Sequence, residues 1–231
     1  MPLPDTLAAA LQQSLQAIQA AREVGYRRLQ IDILDPDLKI SPLVYPLLAP
    51  LADIQPLQVF LPDAGAAALA HKQWQPLPVQ VTLCALGSRV MLNPDALILF
   101  ACPNVVSIEE VESLCNQASR EQTVIVINPQ FQDAATVGIG LTGRRLRERF
   151  LVTFEPVYFL QSLNQGALYR CYPEPWQLWQ ARDSDYILQG SFERRPTPEE
   201  LIAKQPAQPG SSPWEQISQG ISRFLASFRN L

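Results

Sequence analysis

The chain has 231 residues, a formal net charge of −4, 47% hydrophobic and 17% charged residues. That length and composition describe a globular protein able to bury a real core. The acidic balance argues against a nucleic-acid binder, which would carry a basic face. The four cysteines form no C-x-x-C, so neither a zinc site nor a disulfide framework is signalled, and a reducing compartment fits.

The N-terminus "MPLPDTLAAALQQ" lacks a basic region and a long apolar run, so it does not read as a signal peptide. No stretch has the ~18 apolar residues of a membrane span. Leu7, Leu11, Leu15 and Ile18 recur at helical spacing, with Asp5 as N-cap and Gly25 as the stop. "RLQIDIL" alternates and predicts a strand with Leu29, Ile31 and Ile33 on one face. "SPLVYPLLAPLAD" is broken by Pro42, Pro46 and Pro50, which predicts at most a short helix. "LQVFL" predicts a buried strand, followed by a helix capped by Asp63. "VQVTLCAL" reads as a short strand and "ALILFAC" as a buried one. Ser107 and Glu110 have capping-box spacing at the head of the helix "SIEEVESLCNQAS", and "TVIVINP" is a further buried strand. Buried strands alternating with helices predict an α/β fold, a mainly parallel sheet with flanking helices on both faces.

After Arg149 the pattern changes. "FLVTFEPVYFLQ", "GALYRCYP", "WQLWQA" and "DYILQGSFER" follow one another without helices, which predicts an antiparallel C-terminal meander. Thr197, Pro198 and Glu200 then signal the start of a short helix. The expected organisation is one α/β domain over 1–204, a linker over 205–212 and an amphipathic C-terminal tail helix over 213–231.

Four strands end in proline beside Asp or Asn, in "ILDPD", "FLPD", "ACPN" and "INP". Parallel sheets bind ligands at the carboxyl ends of their strands. Asp35, Asp63, Asn104 and Asn128 are therefore ligand-binding candidates, since such oxygens suit polar ligands or hard cations. Local turn and cap chemistry predicts the same residue types without any ligand, and this is the favoured reading. Gly138, Gly140 and Gly143 match G-x-G-x-x-G. The match does not follow its strand directly, and Glu155 comes only twelve residues after Gly143, so the dinucleotide reading is rejected.

Arg144, Arg145, Arg147 and Arg149 form a candidate basic contact patch for a phosphate, an acidic lipid or an acidic partner segment; the alternative is a solvated helix face paired to Glu148 and Glu155. In the tail, Trp214, Ile217, Ile221, Phe224, Leu225 and Phe228 build an apolar stripe suited to a membrane interface, a partner or the protein's own core. The single histidine, His71, reads as a helix C-terminal dipole partner, and no catalytic, cofactor or metal motif occurs.

The segments "RLQIDILDPDLK", "VFLPDAGAAALA", "VGIGLTGRRLRERFLVTFEPVYFL" and "ALYRCYPEPWQLW" resemble an uncharacterised, domain-of-unknown-function family of cyanobacteria and chloroplasts. That family includes a plant protein named for low photosystem II accumulation and the C-terminal extension of a chloroplast adenylate kinase. The resemblance covers 2–204 and leaves the tail outside. It implies a non-enzymatic accessory factor in photosystem II biogenesis, whose partner is a photosynthetic membrane complex or an assembly intermediate. The implied location is cytoplasmic, with peripheral contact at the cytoplasmic face of the thylakoid membrane. It supplies no catalytic residues. The alternative function is a small-molecule or phosphate-ester binding protein or enzyme, with its site at the strand-end edge.

Overall fold

The computed structural model describes residues 1–35, 37–131, 149–163, 166–182 and 185–204. In chain order the elements are α1 (Leu7–Glu23), β1 (Arg28–Leu34), α2 (Ile40–Ala52), β2 (Leu57–Leu61), α3 (Ala64–Gln73), β3 (Val81–Ala85), β4 (Leu97–Ala101), a 3-10 turn (Val105–Ser107), α4 (Ile108–Gln117), β5 (Val124–Ile127), β6 (Glu155–Leu163), β7 (Gly166–Cys171), β8 (Trp176–Arg182), β9 (Asp185–Phe192) and α5 (Pro198–Lys204). The strands form one nine-stranded sheet in the order β3-β2-β4-β5-β1-β6-β7-β8-β9. The pairs among β1 to β5 are parallel and those from β6 to β9 antiparallel, so this is the α/β class read from the sequence. By its internal contacts the chain divides into two compact units, 21–31 with 38–156, and 1–20 with 32–37 and 157–231.

In the first unit, strands β2, β4 and β5 are buried at every position, as expected when both faces of a parallel sheet are covered. Phe60, Ile98, Phe100, Val124 and Val126 meet Ile108, Val111, Leu114 and Cys115 of α4 in one core. The side chains of opposite parity point to the other face, where α2 and α3 pack on β2, β3 and β4. The prolines of α2 did not shorten it as expected: the helix runs for 13 residues through Pro46 and Pro50. Pro42, Pro46 and Pro50 are all exposed, so the carbonyls left without a helical N–H meet water. Leu43, Val44, Leu47, Leu48 and Leu51 supply the buried face that offsets the lost bonds.

Two helix starts also differ from expectation. Thr6, not Asp5, caps α1, its Oγ1 accepting from the Ala9 N–H at 3.2 Å. Ser107 and Glu110 form no capping box: Ser107 Oγ donates to the Asn104 carbonyl, and Glu110 accepts from the Gly87 N–H at 2.7 Å. Asn104 caps the preceding 3-10 turn instead. The expected strand at "FLVT" is absent as well. Residues 149–151 are helical, and Phe150 and Phe154 turn into the core.

In the second unit the meander is an antiparallel ladder, with a register shift between Leu178 and Trp179. Its two faces are covered differently. Toward α1 stand Tyr158 and Tyr169, whose hydroxyls both donate to Gln13 Oε1, at 3.0 and 2.9 Å. The opposite face carries Phe159, Leu163, Leu168, Trp176 and Leu178, packed with Leu34, Phe192 and Leu201 of α5. The start of α5 is as read from sequence: Glu200 accepts from the Thr197 N–H at 2.8 Å and its own N–H donates to Thr197 Oγ1 at 3.3 Å.

Candidate functional site

The parallel strands end on a row of polar residues, and most of the side-chain oxygens there hold their own backbone. Asp63 follows β2 in extended conformation and accepts the Ala66 N–H at 2.8 Å, which caps α3. Asn104 follows β4 and accepts from Val106 and Ser107 at 2.9 and 3.2 Å. These bonds satisfy helix-start donors that would otherwise lack a partner. Asn128 follows β5 at φ +43°, and its N–H donates to the Ile31 carbonyl at 2.8 Å. Cys102, after the adjacent β4, is also left-handed at φ +50°. Beyond these two residues the chains run on side by side, with Gln130 N–H donating to the Pro103 carbonyl and a parallel bridge between Asn104 and Gln130. In the other unit, Asp35 accepts the Asp37 N–H at 2.8 Å in a local turn.

The topology places a switch point at this edge. The chain leaves β2 for α3 on one face and leaves β4 for α4 on the other, so the strand order switches between them. Asp63, Cys102 and Asn104 stand at that switch.

The thiols read as core. Cys84, Cys102, Cys115 and Cys171 are all buried and free. Burial pushes Cys102 and Cys115 up to about 12, far from the low values of reactive thiolates. His71 lies in the last turn of α3, where a helix dipole favours a cation. Among the described residues, no three His, Cys, Asp or Glu side chains gather as a metal site. Nor is any helix there long and apolar enough to cross a membrane.

Of the basic patch, Arg149 is described. Its Nη2 donates to both carboxylate oxygens of Glu112 of α4, at 2.7 and 2.9 Å. Arg144, Arg145, Arg147, the three glycines, the linker and the docking stripe from Trp214 to Phe228 lie outside the described residues.

A constellation that sequence reading passed over sits on the outer face of the meander. The Arg195 guanidinium carbon lies 4.5 Å from the centre of the Phe159 ring and 5.8 Å from that of Trp176. Arg170 reaches the same tryptophan at 5.4 Å. Asp32 of β1, only 5% exposed and itself partnered within the fold, acts on Arg195 by its charge. Arg195 as a residue is exposed, but its guanidinium rests on rings; the lost hydration lowers its pKa and Asp32 offsets this in part. The neighbouring backbone is anchored by the buried Pro196 and the Arg194–Glu200 ion pair at 2.7 Å. One signal for this cluster was present in the sequence. An aspartate inside "LQIDIL" occupies a strand covered on both faces, and a buried carboxylate needs a cation or donors nearby.

No curated protein and no solved structure matches the chain. The model of one family, a domain of unknown function (DUF1995), matches residues 4–203, and the chain belongs to that family.

Proposed function

We propose that the protein is a non-catalytic accessory factor in the biogenesis of a photosynthetic membrane complex, photosystem II, and that it acts by docking on the complex or an assembly intermediate. The observation carrying the docking part is the use of the strand-end side chains. Asp63 and Asn104 spend their oxygens on helix starts, while Val106, two residues beyond Asn104, stands 86% exposed. Polar groups at this edge thus serve the fold, and an apolar side chain faces outward. The photosynthetic context rests on the sequence resemblance. The tail stripe and the arginines at 144–149 are the proposed contacts, with the membrane's cytoplasmic face as the place.

The test is a tagged pull-down from cyanobacterial membranes, with the full chain and with a truncation ending at Gln205. Photosystem subunits recovered by the full chain and lost with the truncation would support docking through the tail. Recovery by both would move the contact to the domain. Recovery of no specific partner by either would refute the proposal.

A small-molecule reading has its own observation. Two non-glycine residues, Cys102 and Asn128, take left-handed backbones at neighbouring strand ends beside the switch point. Such conformations cost roughly 1–3 kcal/mol each and concentrate at functional sites. A thermal-shift screen of phosphate esters and small polar metabolites tests it; binding unchanged in Asn128→Gly would count against this edge as the site.

A further inference from the structure

Arg195 differs from Arg22 and Arg28 in how its guanidinium is used. Arg22 donates to Thr123 and Gln55, and Arg28 to Thr153 and the Cys115 carbonyl. The Arg195 guanidinium donates no hydrogen bond to a described residue. It is nonetheless held in place, over two packed rings and ahead of the buried Pro196. A fixed guanidinium fork with unspent N–H groups fits a planar oxyanion in two-point fashion. Stacking on aromatic rings lowers the ordering entropy that such a contact otherwise costs.

Asp32 decides which oxyanion. Its carboxylate acts on the same guanidinium, so an incoming anion meets like-charge repulsion that grows with ligand charge. A monoanionic carboxylate pays less of this than a dianionic phosphate. The partial desolvation of Arg195, not fully offset by Asp32, is what an added carboxylate would relieve.

We propose that Arg195, seated on Phe159 and Trp176, receives a side-chain or terminal carboxylate from an acidic segment of the docking partner. The partner assignment rests on the docking function proposed above; the carboxylate site does not. The probe is a capped, fluorescein-labelled peptide of alternating glutamate and glycine. Its binding to the purified full chain is followed by fluorescence polarisation, and the arginine Nε–Hε resonances by NMR.

The expected result is a saturable shift of the resonance that disappears in Arg195→Lys, and weakening that increases with salt. Arg195→Gln is expected to lose about ten- to a hundredfold in affinity, as for charge-assisted bonds. Arg195→Lys, a point charge without the fork, falls between. Asp32→Asn is expected to bind the peptide more tightly, which a purely structural role for Arg195 does not foresee. Unchanged affinity in Arg195→Gln, or in Arg195→Lys should the glutamine variant not fold, would overturn the proposal. Tighter binding of inorganic phosphate than of the peptide would overturn it too. Peptide binding at Arg195 with no partner recovered from membranes would support the site and remove the docking function. A recovered partner indifferent to Arg195→Gln would do the reverse.

Discussion

Replacing Gln13 by alanine tests how α1 is tied to the meander. Gln13 Oε1 accepts from two phenols, Tyr158 at 3.0 Å and Tyr169 at 2.9 Å, and both tyrosines are fully buried. The rings stand edge to face at 5.8 Å, so neither can swing away without disturbing the other. Burial raises the pKa of both hydroxyls, so they remain donors. Gln13→Ala therefore takes the acceptor from two donors, with only the weakly accepting Cys171 sulfur left beside Tyr169. Each orphaned buried hydroxyl costs about 1–3 kcal/mol. Gln13 is half-buried, so water entering the vacated space can repair part of the loss, and the expected cost is about 2–4 kcal/mol. Urea unfolding followed by fluorescence measures it. Gln13→Glu keeps the acceptor and is expected to cost much less. Tyr158→Phe in the alanine background removes one orphan and should return about 1 kcal/mol or more, a coupling visible in a double-mutant cycle. A cost below about 0.5 kcal/mol for Gln13→Ala, or no coupling with Tyr158, would refute the reasoning.

Three other outcomes follow from the structure. A Cβ on Gly166 would overlap the Trp179 carbonyl oxygen and stand 2.8 Å from its carbon; backbone cannot yield as a side chain can, so Gly166→Ala should cost about 3 kcal/mol or more, or fail to fold, as read by thermal unfolding. Cys102 and Cys115 rise from 9.0 to about 12 through burial. Raised acids stabilise the fold below the unfolded value and lose that contribution as pH climbs to the folded one, so stability should fall between pH 9 and 12 by up to about 1.4 kcal/mol per pH unit for each thiol. Urea midpoints across that range check this, and Cys102→Ala should shallow the slope. The Arg149 side chain is 69% exposed in its pair with Glu112, so Arg149→Ala should cost no more than about 1 kcal/mol and less in high salt; a larger loss in a salt series would show that the pair is more than a surface contact.

Local chemistry made much of this protein legible in its sequence. Strand and helix order, the Asp63 cap and the Thr197–Glu200 box depend on residues within a few positions of one another, and neighbouring backbone satisfies them in any fold. The buried runs in β2, β4 and β5 announce a covered parallel sheet because no polar alternation is present to face water. Sequence reading stopped where distant segments compete. Pro46 and Pro50 argued against a helix until an apolar face against the sheet, with the prolines turned to water, outweighed the missing bonds. Ser107 lost its capping role because its hydroxyl donates to the Asn104 carbonyl and its backbone, at φ −93° and ψ 2°, is not in the extended conformation of a cap. Asp32 and Arg195 lie far apart along the chain, and neither residue alone reveals the other. Only the return of the chain beside β1 and across Phe159 and Trp176 brings the guanidinium onto two rings near a buried carboxylate. Side-chain type is a local property, but which charge is left with an unspent donor depends on every segment packed around it.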